Sequence, residues 1–450
     1  MEITAKIDSF LDEHLPSYID LIVRLCAQPS ISSTGEGVQQ CANLVCELLN
    51  EHGIKAKPYE TPGFPIIIGK IRGKSKRTLL FYNHYDVQPP DPLELWDHPP
   101  FEPVIKAGKL FSRGARDDKG EFVSRIAAVM AVNDVLGYLP SNIKFLLEGE
   151  EECGSPHLAD FVKNHIDVVQ SDGAIWEEGN VEVGECPTLT LGVRGILYIE
   201  MSVKTMTIDA HSGLAHVLPN AAWRLHDALR IIRSSDSKIL IPSFYDAIIK
   251  PDDKELALFD EWPNVSKLWK EQYGLLNFPN SIEGNQLRYA VFEPTCNLDG
   301  FGSGYLGYGT KTVIPSTATA KIDFRLLPDQ DPDDIVQKLR QHLDDGGFQD
   351  IEIKVLGKMN PFRTPIDDPL VELSAKKGKE VYGKSVLIGP IAPWSSPMHA
   401  VAHPLGIPVV NPGIGYWDNR SHAPNEHIRI NDFLNGARHI ARIILDFDKI

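Results

Sequence analysis

The chain has 450 residues, of which 42% are hydrophobic and 24% charged, with a formal net charge of −16. That length exceeds what one hydrophobic core usually supports, so two domains of ordinary globular composition are expected. The acidic residues are spread along the chain, which excludes the clustered Lys and Arg that nucleic acid requires and disfavours an anionic membrane as partner.

In chain order, Met1–Lys6 shows no basic start leading into an apolar run. No stretch approaches the roughly 18 apolar residues of a spanning helix, so no membrane association and a cytoplasmic location are expected. Residues 3–28 carry apolar side chains at helical spacing (Ile7, Phe10, Leu11, Leu15, Ile19, Ile22, Val23). A second helix is predicted from Val38 to Leu49, with Gly53 placed to end it. Strands follow at Ile66–Ile71, Thr78–Tyr82, Asn142–Leu147 and Gly173–Trp176, and a helix over Glu121–Val135 separates the second from the third. This alternation predicts an α/β domain with a mostly parallel sheet and helices on both faces. Near residue 193 the rhythm changes. A strand at Ile196–Val203, a helix over Pro219–Ile232, an irregular stretch to about 310, a strand at Thr317–Leu327, a helix at Asp333–Leu343 and a strand at Ile351–Val355 read as a smaller α+β domain. Residues 194–357 would then be an insertion into a main domain of residues 1–193 and 358–450, with Ile407–Val410 as a late strand. The six cysteines (Cys26, Cys41, Cys46, Cys153, Cys186, Cys296) form no Cys-x-x-Cys pair and read as buried thiols, not a disulfide framework.

Polar clusters recur where these strands end. His84-Tyr85-Asp86 follows the second strand, and Asp86 is close enough in sequence to fix the tautomer of His84. Gly114-Ala115-Arg116-Asp117-Asp118-Lys119-Gly120 precedes the central helix, Glu150-Glu151-Glu152-Cys153-Gly154-Ser155 follows the third strand, and Trp176-Glu177-Glu178 follows the fourth. Ser421-His422-Ala423-Pro424-Asn425-Glu426 follows the late strand. Each alone also fits a surface loop or a helix cap. Together they concentrate like charge at the carboxyl ends of strands, where open α/β sheets bind ligands, and that is costly unless cations neutralise it. Two histidines and several carboxylates, with no cysteine, match the donor set of catalytic rather than structural zinc. Gly73-Lys74-Ser75 superficially suggests a phosphate loop, but Ile68 stands where that motif needs glycine and a strand follows it.

The ordered set His-x-Asp, Gly-x-x-Asp-Asp-Lys-Gly, Glu-Glu-Glu-x-Gly-Ser, Trp-Glu and Ser-His-x-x-Asn-Glu resembles the co-catalytic di-zinc peptidases. That family includes carnosinases and cytosolic dipeptidases, aminoacylases, glutamate carboxypeptidase, acetylornithine deacetylase and succinyl-diaminopimelate desuccinylase. The resemblance implies two zinc ions per subunit, with cobalt or manganese as alternatives. His84 and Glu177 would hold one, Glu152 and His422 the other, and Asp117 would bridge them, with a cis peptide often following the bridging residue. Counting from Asp172 favours Glu178 in place of Glu177, whereas the Trp-Glu pairing and the distance to Gly192 favour Glu177. Glu151 would be the general base and Asp86 the partner of His84. The insertion resembles the family's lid and dimerisation domain, implying a homodimer. In it Asp209-Ala210-His211-Ser212-Gly213 matches the motif whose histidine polarises the scissile carbonyl, often from the partner subunit. Arg325, with Asn220 and Thr312 nearby, would grip a substrate carboxylate. Ser395 is a further carboxylate ligand, although Trp394-Ser395-Ser396-Pro397 departs from the usual Gly-Ser-x-Pro by placing Trp394 at the glycine. The implied reaction is hydrolysis of a dipeptide or small peptide with a free carboxylate; an N-acyl-amino-acid deacylase is the alternative and a non-catalytic dimeric relative a remote one.

Overall fold

The computed structural model describes residues 2–450. Helices α1 (Ile3–Ala27) and α2 (Val38–Glu51) open the chain and lead into strands β1 (Lys55–Tyr59), β2 (Ile66–Ile71) and β3 (Thr78–His84). Helix α3 (Lys119–Leu136) precedes β4 (Asn142–Glu148) and β5 (Gly173–Ile175). Then come β6 (Gly195–Lys204), helix α4 (Ala221–Ile232), β7 (Thr295–Ser303), β8 (Thr317–Leu326), helix α5 (Pro332–Asp345) and β9 (Glu352–Met359). Helix α6 (Pro369–Tyr382), β10 (Val409–Val410) and helix α7 (Ile430–Asp446) complete the chain.

The central sheet has six strands in the order β1-β2-β4-β3-β5-β10. The pairings β4–β3, β3–β5 and β5–β10 are parallel, as expected, while β1–β2 and β2–β4 are antiparallel. The short link between β2 and β3 explains the reversal, since a parallel return needs a crossover of a dozen or more residues. Side-chain alternation along β3 feeds two cores: Leu79 and Phe81 pack with the helices α1, α2, α3 and α7, whereas Leu80 and Tyr82 pack with Leu158, Phe161, Val401 and Leu405 on the other face. Helix α3 runs through the middle of the first core and is buried around most of its circumference, including Lys119, Glu121 and Arg125.

The second sheet, β7-β8-β6-β9, is antiparallel throughout. Leu197, Ile199, Met201 and Val203 alternate inward from β6 and meet Leu225 and Ile232 of α4 and Ile335, Leu339 and Leu343 of α5 in a separate core. Asp331 caps α5 through Asp333 N at 2.8 Å, with Pro332 opening the helix. The stretch expected to be irregular as far as about 310 holds β7 and short helices at Asp253–Ala257 and Ser266–Tyr273. All six cysteines are free, but only Cys26 and Cys41 are buried; Cys153 is exposed because it lies on a loop at the strand ends, which corrects the reading of buried thiols.

Candidate metal centre and active site

Register places the site. In the parallel pair, His84 at the end of β3 lies opposite Glu148 at the end of β4, and Phe81 opposite Ile175. The segments at 84–86, 148–152 and 176–178 therefore emerge side by side at the carboxyl ends of three neighbouring parallel strands.

Asp117 stands at the centre of what they meet. Its Oδ1 is 2.9 Å from His84 Nε2 and its Oδ2 is 3.0 Å from His422 Nε2. Glu177 Oε2 lies 3.8 Å from His84 Nε2, and Glu152 Oε2 lies 3.2 Å from His422 Nε2. Two groups of donor atoms, each within 4.8 Å of one another, result: His84 with Asp118 and Glu177, and Asp117 with Glu152 and His422. The Asp117–Asp118 peptide is cis. Glu178, the alternative to Glu177, has a left-handed backbone (φ 67°), and burial pushes its pKa up to about 7.

The residues fit cations. Glu152 Oε1, Glu177 Oε2 and Asp118 Oδ1 are buried without a hydrogen-bond partner, and unpaired buried carboxylate oxygens are costly. Burial raises the Glu151 and Glu177 carboxyls well above their usual range, against the pull of His84. Burial would also lower the His84 pKa, but Glu177, Asp117 and Asp86 lift it well above its ordinary value. Hydrogen bonds from His422 and His84 hold Asp117 well below its ordinary value in spite of burial. Such opposed shifts are those of acids crowded about a place that positive charge would relieve.

Several side chains hold this arrangement in place. Asp86 Oδ1 is 3.3 Å from His84 Nδ1, and the Asp86 carboxylate also accepts from the backbone N–H groups of Glu151 (3.2 Å) and Glu152 (3.1 Å). It therefore orients both the histidine and the acidic loop; the second role is not visible in the sequence. Asp118 Oδ2 accepts from Asn83 Nδ2 at 2.7 Å and from His84 N at 3.0 Å. Glu426 is fully buried and accepts from Arg113 Nη1 (2.6 Å) and from the backbone of Gly114 (3.2 Å), Arg116 (2.9 Å) and Asp117 (3.0 Å). Gly114 itself sits at φ +81°, and a Cβ there would meet Val87 Cγ1 at 2.9 Å. Ser396, beside the departing Trp394, accepts from Trp176 Nε1 at 2.7 Å and reaches Glu177 Oε1 at 3.5 Å. Glu426 and Ser396 stand within the sequence motifs, but neither role is legible from the sequence alone.

The remaining sequence-predicted residues divide. Arg325 Nη1 donates to Ser395 Oγ at 2.8 Å, so these two come together. Asn220 is the N-cap of α4, accepting from Ala222 N (2.8 Å) and Trp223 N (3.3 Å). His211 is exposed, with Nδ1 accepting from Gly213 N at 3.0 Å, and Thr312 O accepts from Ser212 N at 3.4 Å. Among the described residues, no hydrogen bond joins His211, Asn220 or Thr312 to the metal-ligand candidates.

Comparison with known proteins agrees with this geometry. Residues 80–446 match the model of peptidase family M20/M25/M40. The chain superposes on the M20 family metallo-carboxypeptidase Sso-CP2 of Sulfolobus solfataricus with a TM-score of 0.92 and 33% identity, covering 96% of this chain and 99% of that one. It is 28% identical to a Cys-Gly metallodipeptidase of Candida albicans over 95% of this chain and 94% of the relative. It is 27% identical to the Beta-Ala-His dipeptidase of Mus musculus over 86% and 80% respectively. The chain therefore belongs to peptidase family M20/M25/M40: it is a metallopeptidase whose relatives include dipeptidases and a carboxypeptidase.

Proposed function

We propose that the chain hydrolyses the amide bond of dipeptides or small peptides with a free carboxylate, using two divalent cations held by His84, Asp117, Glu152, Glu177 and His422. The observation that carries this reading is the double reach of Asp117, one oxygen toward His84 and the other toward His422. A carboxylate so placed can bridge two cations, with His84 and Glu177 on one side and Glu152 and His422 on the other. Glu177 is preferred to Glu178 because it falls within the donor group of His84. An N/O donor set free of cysteine favours zinc, and cobalt or manganese satisfies the same atoms. When bound, the two cations polarise the scissile carbonyl and acidify the attacking water.

Glu151 takes the water's proton and returns it to the leaving amine nitrogen. Its support is position: Asp86 anchors its backbone beside Glu152, while its carboxylate stands outside both donor groups. Arg325 and Ser395 hold the substrate's carboxylate, with Asn220 and Thr312 assigned nearby by family resemblance. His211 aims an N–H at the developing oxyanion; its Nδ1 is already an acceptor, which leaves Nε2 as the donor. Its exposed position favours delivery across a homodimer formed by residues 194–357, the catalytic unit being residues 1–193 and 358–450. No helix among the described residues is long and apolar enough to cross a membrane, and the six free cysteines suit a cytoplasmic setting.

An N-acyl-amino-acid deacylase would use the same centre and anchor, and Trp394 at the usual glycine is the observation in its favour. Hydrolysis rates across dipeptides and N-acetyl or N-succinyl amino acids separate the two. Faster cleavage of dipeptides is expected; cleavage of the acyl amino acids alone would assign the deacylase. Glu151→Ala should retain both cations and lose roughly 100-fold or more in kcat, and near wild-type turnover by this variant would reject the base.

A further inference from the structure

Beside the Arg325–Ser395 pair lies a cavity of about 470 Å³ that the proposed chemistry does not use. Its volume is that of a small-molecule site. Four of the chain's seven tryptophans, Trp262, Trp269, Trp394 and Trp417, line it.

The inner wall is fixed in advance. Trp262 Nε1 donates to Ile388 O at 3.2 Å, and the Arg288 guanidinium lies 4.6 Å from the Trp262 ring centroid and 5.8 Å from that of Trp269. Glu182 holds Arg288 at 3.1 Å. Phe259, Val291 and Ile391, which also line the cavity, pack with Leu327 and Trp262 in a small core of their own. Indoles held this way lose little freedom when a ligand arrives. Trp394 and Trp417 keep 36% and 42% of their surface in water, leaving large apolar groups uncovered.

Position decides what can enter. Trp394 immediately precedes Ser395, whose hydroxyl meets Arg325, and the Trp394 carbonyl accepts from Arg194 N at 3.0 Å. Asn180, another lining residue, ties the cavity to the metal centre, donating to Glu178 O at 3.3 Å and accepting from Arg116 Nη2 at 3.2 Å. The cavity thus adjoins both the carboxylate anchor and the loops that carry the ligand candidates. We propose that it selects substrates by the side chain of the residue bearing the free carboxylate, favouring an aromatic or large apolar group, with Trp394, Trp262 and Trp269 as specificity-determining residues. This rests on Arg325 and Ser395 anchoring the carboxylate, as read above. A ring seated among indoles gains both apolar burial and aromatic contact.

The test compares kcat/KM for Ala-Phe and Ala-Gly in the wild type, Trp394→Gly and Trp269→Ala. Alongside it, L-phenylalanine and glycine are titrated into the metal-loaded protein while tryptophan emission is followed. The wild type should favour Ala-Phe by roughly 10–100-fold, mainly through KM, and each substitution should move that ratio about 5-fold or more toward unity. L-phenylalanine should change the emission saturably and more weakly in Trp269→Ala, whereas glycine should not. Equal kcat/KM for the two dipeptides, or a preference unmoved by both substitutions, overturns the cavity's role while leaving the hydrolase reading intact. If neither dipeptide is cleaved, the dipeptidase reading fails and the titration decides: a saturable response to L-phenylalanine supports the cavity, and a flat one overturns it.

Discussion

Glu426 shows how a single side chain can shape a metal centre without entering it. Its two oxygens gather Arg113 and the backbone N–H groups of Gly114, Arg116 and Asp117 in the loop that presents Asp117. Glu426→Gln keeps the shape but weakens these charge-assisted bonds, and should lower metal affinity by roughly 10–100-fold, as measured by chelator competition. Unchanged affinity would mean that the loop holds itself. Asp86→Ala should do the same by removing the carboxylate beside the His84 ring, which keeps its bond to the residue 86 carbonyl, and the acceptor of the 151–152 backbone, with loss of affinity of similar order. The ligand types were legible in the sequence because His, Asp and Glu are unusual at the ends of buried strands. Their supports were not. Glu426 meets partners more than 300 residues earlier in the chain, and nothing local in Asn425-Glu426 signals that meeting. Ser396 likewise reaches Glu177 only once β5 and the 394–398 loop have packed together.

Among the elements, the long helices depend on buried polar contacts as well as apolar stripes. Lys119, the lysine of the Asp-Asp-Lys-Gly motif, donates from Nζ to Leu25 O at 3.0 Å and Gln28 O at 2.7 Å, satisfying carbonyls at the end of α1. Lys119→Met should leave Gln28 O without its partner and remove one of the two donors to Leu25 O, which keeps the bond from Gln28 N, costing about 1–3 kcal/mol in chemical denaturation. Helix α7 is joined to α6 by His439, whose Nε2–H donates to Ser374 O at 2.7 Å. Burial lowers the His439 pKa to about 4. The unfolded chain, with its ordinary histidine pKa near 6.5, then binds more protons between those values. The stability that neutral His439 supports is complete above about pH 6.5 and is lost as pH falls toward 4, on the order of 2–3 kcal/mol by pH 4.5. His439→Gln should unfold with a shallower dependence on pH over that window, and an identical slope would exclude His439 as the source. Strands with apolar runs and helices with clear stripes could be read before folding; β1 and β7 could not. Lys55–Tyr59 contains Pro58 and is mostly exposed, and Thr295–Ser303 is polar, glycine-containing and open to solvent along most of its length. Edge strands of this kind owe their form to a neighbour's backbone, which leaves little trace in side-chain pattern.

At the scale of the whole molecule, the two sheets have separate cores, and the closing strand β9 of the second runs on to Met359. His211 lies exposed, with its Nδ1 engaged by Gly213 N. If the partner's His211 completes each site, mixing Glu151→Ala with His211→Ala subunits should restore part of the activity that each lacks alone. No recovery on mixing would assign His211 to its own subunit's site. A centre for two cations bridged by Asp117 is the core of the proposed chemistry. Its most direct test is elemental analysis of the purified protein, wild type and Asp117→Ala, in parallel with dipeptide hydrolysis before and after chelation. Two divalent ions per wild-type chain are expected, removed together with activity by chelator and restored with it, and fewer in Asp117→Ala. Full turnover after exhaustive chelation, or undiminished metal content in the variant, would contradict it.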